Sequence, residues 1–403
     1  MSRRRPMDDQ ALSIALIGTR GVPAHYGGFE AAVEEVGSRL VARGHRVRVY
    51  CRTGNSPEPL ATHLGMNLVT LPAARRRSLE TLTHTGLSVA HLVTHRTDVA
   101  FLFNAANAVW LPLVRAAGIP VATHVDGLEW RRAKWGPTGR RYYRWAERFA
   151  VRRSDALIAD AQGIADYYDG EFGVPTSLIA YGAPVLDGVG SARLGELGLE
   201  PRGYHLVVAR FEPENHVAEI VEGYAASSAG MPLVVVGSAP YAAAYTARID
   251  AAAAGDPRIR LLGGVWEQDL LDELYANACT YVHGHSVGGT NPSLLRALGG
   301  GAAVIAIDVS FNRDVAAGAG AYFRTAEDVG RLVVAAEDDP AALDGRRADA
   351  RLRAGAYVWD DVADGYERLA RELVSGKAPG PWRRARRPGR QAGDWRPEEV
   401  RNA

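Results

Sequence analysis

Residues 281–301 read YVHGHSVGGTNPSLLRALGGG, a polar glycine-rich loop set between a buried strand pattern and a short apolar helix pattern. Open α/β sheets bind ligands beyond the carboxyl ends of their strands, and a helix starting there offers unpaired backbone N–H groups to an anion. Gly288 and Gly289 allow close approach of the backbone, and Thr290 or Asn291 can cap the helix that Pro292 opens. A phosphate group fits such a loop. An ordinary glycine-rich turn with a good cap is the other reading, and the rest of the chain has to decide between them.

The same rhythm of strand, loop and helix extends in both directions. Downstream of residue 203 the runs YHLVVARF, PLVVVGS, IRLLGG, CTYVHGH and AAVIAID alternate with helical spacing. Upstream, LSIALIG (12–18) is followed by the loop TRGVPAHYGGFE and the helical AAVEEVGSRLVARG. The strand candidates HRVRVYCRTG, MNLVTLP (66–72), DVAFLF (98–103), IPVATHV (119–125), DALIAD (155–160) and TSLIAYG (176–182) come next. Such alternation implies parallel sheets covered by helices on both faces. The expected class is α/β, with two tandem Rossmann-like domains over residues 12–187 and 204–356 joined by a Gly/Ser/Pro-rich linker over 188–203. An amphipathic helix over 357–375 is expected to pack back towards the first domain. The basic start, 1–11, and the Arg/Pro/Gly-rich end, 376–403, read as disordered tails.

Bulk properties agree with two globular domains. The chain has 403 residues, 47% hydrophobic and 23% charged, too long for one core of typical size. No run approaches the roughly 20 apolar residues of a membrane span, and the start does not read as a signal peptide, so a cytoplasmic protein is expected. Cys51 and Cys279 are isolated in sequence, which indicates neither a disulfide framework nor a zinc site. The net charge of +1 is silent about partners. Dinucleotide binding is disfavoured because GTRGVP departs from G-x-G-x-x-G, and the second strand ends in Cys51 and Arg52 where an acid for the ribose would stand. Gly27 and Gly28, ahead of Phe29 and Glu30, can still bring backbone amides to an anion, unless they form a plain tight turn.

Taken together, IGTRGVPAHYGGFE, HVDGLEWRRAKW, ARFEPEN and HGHSVGGTNPSLL resemble the retaining, nucleotide-sugar-dependent glycosyltransferases of the GT-B fold, in the family-4-like group. More narrowly, they are similar to the branch containing rhamnosyltransferases of cell-surface polysaccharides. The resemblance spans about residues 12–375. It implies two Rossmann-like domains facing a cleft, a nucleotide diphosphate sugar as donor substrate held by the second domain, an acceptor held by the first, and neither cofactor nor metal. The sequence has no D-x-D on a strand end of the metal-dependent kind, which agrees.

Chemistry needs cationic or N–H donors on the leaving diphosphate and a group that orients the acceptor hydroxyl. Arg210, at the end of the second domain's first strand, can fork onto the diphosphate, although a solvated surface role would explain it too. The resemblance sets a lysine five positions after this arginine, where this chain has Asn215. His124, Asp126 and Glu129 follow one another at the mouth of the first domain. The resemblance places His124 near donor sugar and acceptor; a His and Asp pair capping a loop is the plainer reading. His124, Asp126 and Arg210 are the catalytic candidates. Gly27, Gly28, Asn215, His285, Gly288, Gly289, Thr290, Asn291 and Arg296 join Arg210 as donor-binding candidates. His285 is preferred over His283, which reads equally well as a satisfied semi-buried ring.

Arg296 is the largest departure. The family carries a glutamate there, in a context like PSLLEA, and another acid eight residues earlier, where this chain has Gly288. Both acceptors for the ribose hydroxyls are therefore missing, and an arginine can only donate. Three accounts stay open: Arg296 donates to ribose or diphosphate, Glu212 or Glu214 supplies the acceptor, or donor binding is impaired.

The run RRAKWGPTGRRYYRWAERFAVRR (131–153) is dense in cations interleaved with aromatics. A basic, aromatic amphipathic helix with Arg140, Arg141, Arg144 and Arg148 reads as membrane-surface binding, with Glu129 on the same acceptor side. A merely solvated helix face is the alternative. Nucleic acid is disfavoured because no nucleic-acid motif accompanies the patch. The expectation is a glycosyltransferase at the inner face of the membrane with a saccharide or lipid-linked saccharide acceptor. A catalytically impaired sugar-nucleotide-binding homologue and a GT-B-shaped epimerase are the competing classes.

Overall fold

The computed structural model describes residues 10–24, 27–56, 58–74, 77–125, 127–132, 135–239 and 242–378. Asp126 and nearly all of both expected tails lie outside the described residues. The chain divides into two compact units: Met1–Trp130 with Pro137–Ile179 and Ala363–Ala403, and Arg131–Gly136 with Ala180–Val362.

In the first unit the elements run β1 (Ser13–Ile17), α1 (Gly28–Ala42), β2 (Arg46–Arg52), β3 (Thr62–His63), β4 (Met66–Leu71), α2 (Arg77–Thr94) and β5 (Val99–Phe103). They continue with α3 (Leu111–Ala116), β6 (Val121–Val125), α4 (Pro137–Arg153), β7 (Ala156–Ala159), α5 (Gln162–Phe172) and β8 (Ser177–Leu178). Among the described residues these strands form one sheet in the order β3-β4-β2-β1-β5-β6-β7-β8, parallel except for the β3–β4 pair. Every residue of β5 and β6 is buried, as expected of strands covered on both faces.

In the second unit come β9 (His205–Val208), α6 (Val217–Ala225), β10 (Leu233–Val236), α7 (Ala243–Ala253), β11 (Ile259–Gly263), α8 (Gln268–Ala276) and β12 (Thr280–His283). Then follow α9 (Pro292–Gly299), β13 (Ala303–Ile307), α10 (Ser310–Ala316), β14 (Gly320–Phe323), α11 (Ala326–Asp338) and α12 (Pro340–Ala354). Its sheet is ordered β11-β10-β9-β12-β13-β14. Each of its pairs is parallel. The last helix, α13 (Trp359–Val374), belongs from Ala363 onward to the first unit, where Tyr366 packs edge-on against Phe101 with ring centroids 5.0 Å apart.

Two parallel α/β sheets are thus present, as the alternating pattern predicts. Their order reverses between β1 and β5 in one sheet and between β9 and β12 in the other. Switch points of this kind open a crevice at the carboxyl ends of the strands. The loops after β1, β9 and β12, the ones singled out in the sequence, lie there.

Several elements differ from the sequence reading. β8 shrinks to two residues. The short β3 and β14 and the helix α12 were not anticipated; α12 hides in a polar stretch but has Asp339 as its N-cap, Pro340 in the first turn and strong helix formers after it. The basic run 131–153 is not one helix, because α4 begins only at Pro137. Arg210 stands two residues beyond the end of β9, in the loop.

Candidate functional site

In the second unit two loops interlock at the switch point. After β9 the chain makes a short 3-10 turn over Pro213–Asn215, then holds His216 in the left-handed region at φ 48° before α6. After β12, Gly284 runs so close that a Cβ there would lie 2.1 Å from the Asn215 carbonyl oxygen, so only glycine fits. Asn215 ties the loops together: its Nδ2 donates to the Arg210 carbonyl at 2.7 Å, while its Oδ1 lies 2.7 Å from Nδ1 of His285. His216 Nδ1 reaches the Gly284 carbonyl at 2.8 Å, and Ser286 N donates to the Glu214 carbonyl at 2.9 Å.

This network fixes the state of His285. Burial first, then the charges of Arg132, Arg210 and neighbouring rings, holds its pKa well below the usual histidine value, so the ring is neutral. An amide oxygen only accepts, so Nδ1 carries the hydrogen and Nε2 the lone pair. Gly288, at φ 134°, packs against that atom; a Cβ there would stand 3.2 Å from Nε2. His283 is buried beside it, its pKa lowered by burial to about 3. Asn291 caps α9, its Oδ1 accepting from Ser293 N at 2.9 Å, with Pro292 in the first turn, as the sequence predicts. Gly289 lies in the same loop, and Thr290 is buried at its end.

Charge here is nearly balanced. Arg210, with 38% of its side chain exposed, stands 3.5 Å from Oε2 of Glu212. Arg132 lies 3.9 Å from that same oxygen and 3.7 Å from Oε1 of Glu214. Both glutamates are more than nine-tenths buried. Arg296 points elsewhere: its guanidinium is paired with Asp272 on α8. Sequence reasoning missed Arg132 and Asp272 as partners; no local pattern marks either.

In the first unit, the loop after β1 is bound to α1. Glu30 Oε1 accepts from Arg20 N at 2.9 Å, and Glu34 accepts from Ala24 N at 2.9 Å. Burial pushes the Glu30 carboxyl above its usual range, against opposing backbone hydrogen bonds. Gly27 has φ 106° and occupies the cap position before Gly28, where a Cβ would strike the Glu30 carboxylate. His124 sits within β6, 1% exposed, with Phe29 at 5.2 Å and Phe103 at 5.5 Å edge-on, and Tyr366 Oη 3.4 Å from its Nδ1. Burial lowers its pKa to about 3, so it too is neutral. Glu129 is buried in a 3-10 turn. Tyr366 could not have been found from the sequence, since it lies 242 residues from His124.

α4 buries Ala146, Glu147 and Ala150 and exposes Arg140, Arg141, Arg144, Trp145 and Arg148 on its other side. Trp145 stacks on Phe149 at 4.9 Å, and Arg144 lies over Trp130 at 4.4 Å. Among the described residues no helix is long and apolar enough to cross a membrane.

Residues 27–182 match the model of the Glycosyl transferase 4-like domain. No curated protein matches the chain in sequence. Among solved structures, sucrose-phosphate synthase from Thermosynechococcus elongatus is similar over 90% of this chain and 99% of its own, at 19% identity and a TM-score of 0.78. Anabaena HepE in complex with UDP-glucose is similar over 89% and 99% at 15% identity, TM-score 0.70. The α,α-trehalose-phosphate synthase (UDP-forming) from Burkholderia vietnamiensis is similar over 90% and 100% at 11% identity, TM-score 0.68. These similarities establish the GT-B fold.

Proposed function

We propose that this chain is a cytoplasmic glycosyltransferase acting at the inner membrane face. It would move a sugar, rhamnose in our reading, from a nucleotide diphosphate donor to a saccharide or lipid-linked saccharide of a growing surface polysaccharide, with retention and without a metal. The observation that carries this reading is the pair of loops locked through Asn215 and His285 at the switch point of the second sheet. The family model matched by residues 27–182 supports the same class, and the UDP-glucose bound by Anabaena HepE makes UDP-sugars the first donors to try.

In this proposal the bond from the anomeric carbon to the diphosphate oxygen breaks, a bond to the acceptor oxygen forms, and the acceptor's proton ends on the leaving diphosphate. The half-exposed Arg210 guanidinium and the amino end of α9 stabilise the charge that develops on that leaving group. His285, neutral with its lone pair at Nε2, accepts from a sugar hydroxyl. Glu212 or Glu214 accepts from the ribose. The exposed cations of α4 face anionic lipid.

Incubating the protein with a panel of nucleotide sugars and saccharide acceptors, followed by mass spectrometry, tests the class. Glycosyl transfer is the expected result. Recovery of the donor unchanged would make the chain a binding homologue, and an isomerised sugar would make it an epimerase.

A further inference from the structure

At the opposite, amino end of the second sheet, two guanidinium groups meet the turn that leads into β12, and a third, whose charge also acts on Arg202, lies against the turn that leads into the adjacent β13. Arg202 Nη1 donates to the Ala278 carbonyl at 2.9 Å and Arg347 Nη2 to the adjacent Cys279 carbonyl at 3.2 Å. Arg351, one helical turn after Arg347 on α12, lies against Gly301, where an added Cβ would stand 2.6 Å from its Cζ. Arg202 is held by a bond from its own N–H to the Asn277 carbonyl at 2.8 Å, in a left-handed backbone conformation at φ 63° that a branched or long side chain rarely adopts.

Negative charge does not match this cluster. Among the described residues one carboxylate pairs with any of the three, Asp344 at 2.8 Å from Arg347, and its side chain is 76% exposed. Glu337 is close to Cys279 but is already engaged by His205 at 3.1 Å and by the Gly230 and Met231 N–H groups. Arg347 has only 11% of its side chain exposed, and its buried Nε has no hydrogen-bond partner. Like charges one turn apart on a helix disfavour the fold, and a buried unsatisfied donor costs more. Burial, then the charges of Arg347 and Arg351, holds the Arg202 pKa below its ordinary value.

We infer that Arg202, Arg347 and Arg351 form a binding site for a phosphoryl-bearing anion, distinct from the candidate site at the carboxyl ends of the strands. A phosphoryl group supplies several acceptor oxygens and the missing negative charge, and forked guanidinium groups match that geometry. Arg351 is exposed and gives the ligand its way in. This inference does not depend on the proposed transferase activity.

Inorganic pyrophosphate is the probe, titrated calorimetrically into the full chain at ionic strength held constant with chloride. The titration is run on an Arg210→Ala background, which weakens binding at the carboxyl-end loops, and the Arg351 and Arg202 replacements are compared with that background. The background protein should bind pyrophosphate, and adding Arg351→Gln should weaken that binding roughly tenfold, as loss of a charge-assisted contact does. Adding Arg202→Gln as well should weaken it further, with an unchanged far-ultraviolet spectrum. If Arg202→Gln fails to fold, Arg351→Gln alone decides, since its side chain is exposed. Absence of saturable binding, or binding within about twofold of the background when Arg351 is replaced, overturns the site.

Discussion

Asn215 Oδ1 lies 2.7 Å from His285 Nδ1, and through this bond a residue of the loop after β9 sets the tautomer of a ring in the loop after β12. The other end of the same amide holds the Arg210 carbonyl at 2.7 Å. Asn215→Ala would therefore leave a buried ring N–H without its partner and the Arg210 carbonyl with only its bond from Glu212 N at 2.8 Å, and is expected to cost about 1–3 kcal/mol of stability. It should also weaken nucleotide diphosphate binding, because both loops lose their register. Thermal unfolding and calorimetry check this. Unchanged melting and affinity would show that the loops hold without the amide.

Stability should fall on the acid side earlier than carboxylates alone would cause. Burial holds His124 and His283 at a pKa of about 3 and His84 at about 4, all from an ordinary 6.5. Once unfolded, these rings bind protons below pH 6.5, whereas folded they do not. The unfolded state then holds more protons, so stability is full above 6.5 and is lost progressively as pH falls from there towards the folded values. Each ring contributes up to about 1.4 kcal/mol per pH unit in that window. Denaturant titrations from neutral pH into the acid range should show this slope, and His283→Phe should make it shallower by one proton. An identical slope in that variant would rule His283 out as a contributor.

The outward face of α4 makes a separate prediction. Arg140, Arg141, Arg144 and Arg148 are exposed beside Trp145, while Glu147 is turned inward. Near an anionic bilayer each cation adds about 1 kcal/mol, screened by salt. Co-sedimentation with vesicles containing phosphatidylglycerol should be strong at low salt and lost when the four arginines become glutamine. Equal sedimentation of the quadruple variant would make this face an ordinary solvated one.

The fold was legible because buried parallel strands leave unbroken apolar runs such as VAFLF and LVVV, and glycine-rich loops mark their carboxyl ends. What escaped was carried by weak local signals or by distance. β14 is a four-residue strand that opens on glycine, and α12 is too polar to show a core face. In the site, Gly284, Asn215 and His285 stand in stretches that the sequence already singles out. The burial of Glu212 and Glu214 and the closure of Tyr366 over His124 follow from tertiary packing, which no spacing in the chain encodes.

Arg296 is held by Asp272 across α9 and α8, with the two side chains 26% and 19% exposed. One nitrogen of its guanidinium is thereby engaged on the α8 side, so a role on the ribose or diphosphate falls to its other N–H donors. Arg296→Glu sets two carboxylates against each other and is expected to cost about 1–3 kcal/mol, between the values for exposed and buried pairs. The charge-swapped variant Asp272→Arg with Arg296→Glu should recover most of that loss, as a pairwise interaction requires. If the pair is structural and the ribose acceptor is Glu212 or Glu214, the swapped protein should bind a nucleotide diphosphate within about twofold of wild type, while Glu214→Gln should bind it more weakly. Calorimetry on the three variants separates the accounts. Loss of binding in the swapped protein would assign Arg296 to the donor after all. Tighter binding would mean that a carboxylate on α9 completes a site the natural chain leaves unfinished, and that the wild-type protein holds its donor weakly.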